Sequence, residues 1–201
     1  MAPCICDLLG RIFVSLLLVA AAFRPLPIRA DDVTLDIDAA ASTVTFTLGA
    51  FLHTVHGSFK MKSGTLHFDP ASGEADGEIA IDLTTGSTGL GARDAVMHGQ
   101  VLESPRYPNA VFKPDAVTGR LNPNGESTLD IHGRLAIHGG AHEWTFRTTI
   151  STKGTQLAAT THTSIPYVQW GMKNPSTFLL RVNDHVEVDV RAVAHVRSTP
   201  L

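Results

Sequence analysis

Strict alternation of apolar and polar side chains constrains this chain of 201 residues more than any other feature. It begins at Val33, Leu35 and Ile37, resumes at Val44, Phe46 and Leu48, and returns at Leu66 and Phe68 and at Ile79, Ile81 and Leu83. It continues through Leu129, Ile131, Leu135 and Ile137, then Trp144, Phe146, Thr148 and Ile150. It ends on Val186, Val188, Val190, Ala192, Ala194 and Val196 against Glu187, Asp189, Arg191, Val193 and His195. Successive side chains of a strand point to opposite faces, so a period of two predicts strands with one apolar face. At least eight strand candidates can be counted this way. Asp69-Pro-Ala-Ser-Gly73, Asn122-Pro-Asn-Gly125, Gly139-Gly140 and Lys153-Gly154 supply tight-turn chemistry between them. Parallel strands need crossovers of about a dozen residues, which only one interval offers. The expectation is an all-β, antiparallel barrel.

The exceptional interval is Thr84 to Pro108, where Leu90, Met97 and Val101 recur at helical spacing behind a Ser87 or Thr88 cap. One short helix over about residues 88–102 is expected to pack against the barrel. Asp94 falls on the same stripe, so its carboxylate needs a partner, either Arg93 or a nearby amide.

Arg11 precedes an apolar run from Ile12 to Phe23, and small residues follow at Ala30. This is the layout of a secretory signal peptide over residues 1–30, leaving one domain over residues 31–201. The run is about a dozen residues, short of the roughly twenty that a permanent transmembrane helix needs. The expected location is therefore periplasmic or secreted, with no stable membrane span. Both cysteines, Cys4 and Cys6, lie in the leader, so the mature chain has no disulfide. It would carry 13 basic against 18 acidic side chains, a balance that disfavours nucleic acid.

Catalytic signatures are missing: the mature chain has no Cys nucleophile, Gly-x-Ser-x-Gly elbow, Gly-rich phosphate loop or His-Glu-x-x-His helix. A non-enzymatic protein without cofactors is expected. Among ten histidines, His53 and His56 would face opposite sides of a strand, and His138 and His142 across a turn give only two ligands. No metal site is assigned.

Six pieces in order resemble the YceI family of lipocalin-like bacterial proteins. They are Asp38-x3-Ser42-x-Val44-x-Phe46; His56-Gly57-x-Phe59; Gly64 with Phe68-Asp69; Arg93-Asp94; Tyr107-Pro108 ahead of Val111-Phe112; and Gly133-x-Leu135-x-Ile137-His138-Gly139. Trp170-Gly171 then precedes the closing strand, and the likeness spans about Val33 to Val196. Two places depart from the family pattern. Gly140-Ala141 follows His138-Gly139, and Pro166-Tyr-Val-Gln-Trp-Gly171 stands where an Arg-x-Asp-Phe-Gly stretch is frequent.

The resemblance implies an eight-stranded, lipocalin-like antiparallel barrel around a long apolar cavity. Its occupant would be a polyisoprenoid chain, an isoprenoid quinone or a fatty amide. Phe46, Phe59, Phe68, Phe112, Phe146 and Phe178 are the bulky candidates for the cavity wall. Arg93, Asp94 and Trp170 are the candidates for a polar head group. Eight strands enclose a space that side chains can also fill. A packed barrel with functional loops, Gly86 to Gly91 and Met172 to Thr177, is therefore the rival expectation. The last strand, if left unpaired, would offer an edge for a homodimer.

Overall fold

The computed structural model describes residues 33–51, 53–122, 124–178 and 180–197, and the expected leader lies outside them. Eight strands form a closed barrel in chain order, each antiparallel to its neighbours. They are β1 Val33–Gly49, β2 Thr54–Phe68, β3 Ala75–Ser87, β4 Asn109–Thr118, β5 Glu126–Ile137, β6 Gly140–Lys153, β7 Gln156–Ile165 and β8 Val186–Arg197. β8 pairs with both β7 and β1, so the last strand presents no free edge to a second copy.

The first two apolar triplets of the sequence are one strand. Val33, Leu35 and Ile37 are odd-numbered and Val44 and Phe46 even-numbered, yet all line the interior. The phase changes where the β1 register shifts, between Asp38 and Thr43. There Asp38 Oδ1 accepts from the amides of Ala40 and Ala41, and Ser42 Oγ donates to the Asp38 carbonyl. The amide of Val193 in β8 donates to Ser42 Oγ. A β-bulge of this kind bends the strand and raises its twist, which closing a barrel requires. Between β5 and β6, His138 (φ 52°) and Gly139 (φ 78°) make a two-residue turn with the positive φ pair of a type I′ hairpin.

One end of the barrel carries the short turns after β2, β4 and β6. The other end carries the β1–β2 turn, the helical segment, the β5–β6 hairpin and the long β7–β8 connection. The helix is shorter than expected: α1 spans Gly91–Val96, and Met97–Val101 winds as a π-helix. The Ser87 and Thr88 hydroxyls both donate to Asp94, and Leu90 holds the cap position without a side-chain bond. Asp94 works in the opposite direction. It accepts from Thr88 Oγ1 at 2.6 Å, the Thr88 amide at 2.8 Å and Ser87 Oγ at 3.2 Å. The Thr88 hydroxyl, then its amide, hold this carboxyl below its ordinary pKa.

The β7–β8 connection folds back over the helix end. Tyr167 and Met172 are buried, Asn183 donates its amide to the Gly49 carbonyl, and Val182 bridges Ala50. Tyr167 Oη donates to the Asn183 carbonyl at 2.6 Å, tying the two ends of the connection together. Burial, with a smaller contribution from the Asp184 carboxylate, pushes the phenol up to about 12. A phenol that ionises in the unfolded chain but not in the folded one favours unfolding. Its stabilisation is thus complete below the ordinary value of 10.0 and is lost as pH rises toward 12. Tyr167→Phe is expected to cost about 1 kcal/mol at neutral pH. It should also narrow the alkaline loss of stability, a difference that urea midpoints taken near neutrality and between those two values will read.

Candidate functional site

The interior is open. A cavity of about 410 Å³ lies at the helix end and a second of about 400 Å³ at the turn end. Ile81, Leu135, Ile165 and Val188 line both, so the two meet at an aliphatic waist. Each falls in the range of roughly 300–1,000 Å³ common to small-molecule pockets. The rival expectation of a solidly packed barrel does not match these volumes.

Five of the six phenylalanines face this space. Phe46 and Phe59 line the helix-end cavity with ring centroids 5.2 Å apart. Phe68, Phe112 and Phe146 line the turn-end cavity, the last two with centroids 5.0 Å apart. Phe178 is a correction: it is 97% exposed. It sits between Thr177 and Leu180, where Thr177 N donates to Leu180 O, and a turn tip has no barrel face to occupy.

The three head-group candidates do not converge. Arg93 lines the helix-end cavity beside Thr88, with His53 and Thr177 also on that wall. Asp94, one position on, is turned to Ser87 and Thr88 and lines neither cavity. Trp170 is stacked on His142 at 4.2 Å and meets Trp144 edge-on at 5.0 Å. It packs against the core cluster of Leu83, Leu102 and Tyr167 and lines neither cavity.

The turn-end cavity holds a polar stripe, of which the alternation placed only Thr148 on the inward face. Thr148 of β6 and Thr161 of β7 are a register pair, both buried, with hydroxyls 2.7 Å apart. Thr163 accepts from Trp144 Nε1 at 3.2 Å, and the buried Thr152 hydroxyl has no hydrogen-bond partner. A shared hydroxyl pair makes one bond, and removing one member strands the other. Thr148→Val is therefore expected to cost about 1–3 kcal/mol, whereas adding Thr161→Val should recover most of it. Chemical denaturation of the two variants checks this; equal stability of the single variant and the parent would refute it.

The histidines of the two pairs weighed in the sequence have other neighbours. His56 Nδ1 lies 3.1 Å from Thr47 Oγ1, His138 packs on Tyr107, and His142 lies under Trp170. Among the described residues, Asp115, His132 and Glu143 bring three ligand atoms within 4.8 Å. They lie on the outer wall, where His132 Nδ1 is 2.5 Å from Asp115 and Arg134 binds Glu143 at 2.6 Å. Internal ion pairing accounts for that group.

Comparison with known proteins agrees with this geometry. The chain is 33% identical over 103 residues to a UPF0312 protein of Pseudomonas putida strain W619, covering 50% of this chain and 51% of that one. A UPF0312 protein of Pseudomonas syringae pv. tomato is 31% identical over 129 residues, covering 62% and 65%. The chain thus spans about half the length of the first of these curated relatives. Among solved structures, Burkholderia cenocepacia BcnA superimposes with a TM-score of 0.66 at 21% identity, covering 79% of this chain and 99% of that one. A polyisoprenoid binding domain from Saccharophagus degradans, implicated in plant cell wall breakdown, gives 0.65 at 16% identity, covering 81% and 98%. At these identities the likeness establishes the shared barrel. The family description "YceI-like domain" matches residues 35–194, nearly the whole barrel, and the chain belongs to that family.

Proposed function

We propose that this chain is a non-catalytic binding protein that holds one apolar lipid along its barrel lumen. The observation that carries the reading is the pair of apolar cavities meeting at the Ile81, Leu135, Ile165 and Val188 waist. Such a shape suits a slender chain threaded from one chamber into the other. Burial of each methylene contributes about 0.8 kcal/mol, so each five-carbon isoprene unit contributes roughly 3–4 kcal/mol before the cost of ordering it. The structural likeness to a polyisoprenoid binding domain supports a polyprenyl chain as the occupant; prenylated quinones and fatty amides are the other slender apolar lipids we propose for it. Arg93 lines the helix-end cavity, which supports it as the group that meets a polar or anionic head group there. The leader pattern in the sequence supports a periplasmic or secreted location. Among the described residues, no helix is long and apolar enough to cross a membrane.

The test is native mass spectrometry, with solvent extraction, of protein purified from its own host. About one isoprenoid or fatty-amide molecule per chain is expected. Protein that is repeatedly recovered empty, and that takes up no such lipid when offered it, overturns the reading.

A further inference from the structure

Three large apolar side chains are exposed among the described residues: Phe51 at 80%, Phe178 at 97% and Leu90 at 52%. All three stand on connections at the helix end of the barrel. Phe51 occupies the β1–β2 turn, in which the Ala50 amide donates to the His53 carbonyl. Phe178 occupies the Thr177 to Leu180 turn, and each phenylalanine is followed in sequence by a leucine. The two turns are neighbours, because the Phe51 amide donates to the Arg181 carbonyl and Ala50 bridges Val182. Turn tips ordinarily carry Gly, Asn, Asp or Pro. Two adjacent turns that each expose a phenylalanine ring are therefore an anomaly for a surface facing water alone.

The same turns form the rim of the helix-end cavity. Ala50, His53, Thr177 and Leu180, which flank the exposed rings in sequence, line it. Three cations at this rim, Arg93, Lys173 and Arg181, have no ion-pair partner among the described residues; Lys173 has only a hydrogen bond to Gln100. The nearby carboxylates have partners of their own: Asp94 accepts from Ser87 and Thr88, Asp184 lies 2.6 Å from His185, and Glu103 lies 3.9 Å from Arg106. Exposed aromatic tips flanked by unpaired cations suit one environment, the boundary of an anionic bilayer, where rings enter the acyl region and cations meet phosphates.

We propose that this rim docks on an anionic lipid surface, so that the helix-end cavity opens against the bilayer and its lipid passes without crossing water. The proposal rests on the lumen reading above and adds where the lipid enters. Sedimentation with vesicles of phosphatidylcholine and phosphatidylglycerol in equal parts, and of phosphatidylcholine alone, tests it.

The chain over residues 31–201, freed of the apolar leader, is expected to sediment with the anionic vesicles and to be released by salt. Phe51→Ser with Phe178→Ser should weaken that binding at least about 30-fold, since each ring loses its burial. Arg181→Ala with Lys173→Ala should weaken it several-fold on the anionic vesicles only. Both phenylalanines are exposed, so the thermal midpoint should hold, and lipid supplied in detergent should still fill the lumen of the Phe variant. An unbound parent chain, or a Phe variant that binds vesicles as well as the parent, overturns the docking surface. So does self-association in ultracentrifugation that the Phe variant abolishes without vesicle binding, because the face would then join two copies. Vesicle binding by a chain whose lumen takes no lipid would instead overturn the lumen reading and leave docking intact.

Discussion

Val188→Trp is expected to leave the barrel folded and to weaken binding of a long polyprenyl lipid by at least about 100-fold. Val188 sits on β8 opposite Phe46 of β1 and Thr163 of β7, and it lines both cavities. An indole at that height fills the waist and confines any ligand to a single chamber of about 400 Å³. Two isoprene units excluded from the lumen remove several kcal/mol of burial, and each 1.4 kcal/mol is tenfold in affinity. Overpacking a wall that borders empty space should cost at most about 1–3 kcal/mol of stability. The measurement is competitive displacement of a fluorescent fatty amide by a long and by a short prenol. The short prenol should lose little, because one chamber still holds it. Equal affinity of parent and variant for the long prenol would mean that ligand does not pass the waist.

How well the sequence disclosed this lumen varied from strand to strand, for physical reasons. β8 was plain, since every even position from Val186 to Val196 is apolar and faces inward. β7 was not, because its inward positions include Thr161 and Thr163, whose hydroxyls are satisfied by Thr148 and Trp144 rather than by water. A hydrogen bond between side chains of different strands removes the polarity that alternation uses to tell inside from outside. β4 was obscured by Pro114, which pairs with Gly133 beside a register shift. Pro is ordinarily kept from the middle of a sheet, and the irregular ladder here accommodates it.

The site was partly readable for the same reason. Five phenylalanines could be oriented because they lie on strands whose phase is set by their neighbours. Phe178 lies on a connection, where hydrophobicity alone carries no direction. The helix stripe misled at Leu90, which is half-exposed at the cap, while Met97 and Val101 do reach the helix-end cavity. Arg93 and Asp94 are adjacent, and on a helix adjacent residues point about 100° apart, so only one could serve the cavity. The Ser87–Thr88 segment draws Asp94 away, which leaves that place to Arg93.

Gly77→Val is expected to destabilise the barrel by about 3 kcal/mol or more and to open its turn end. Gly77 lies in β3 opposite Leu66 of β2 with φ at 110°, a conformation that side chains rarely adopt. A Cβ there would come 2.2 Å from the Thr65 carbonyl oxygen, which belongs to the neighbouring strand and cannot swing aside without breaking the ladder. Gly154→Ala provides the contrast. It also has a positive φ, 61°, but nothing lies within 4 Å of the added carbon. Its cost should be only the left-handed penalty of about 1–2 kcal/mol. Urea denaturation of the two variants separates collision from backbone strain, and similar losses in both would show that the close approach at Thr65 is not a constraint. Ala75 and Ile79 flank Gly77 and line the turn-end cavity, so a β3 that yields there should admit water to the lumen. Gly77→Val should therefore also lose bound lipid while Gly154→Ala retains it, which ties closure of this end of the ladder to retention of the ligand.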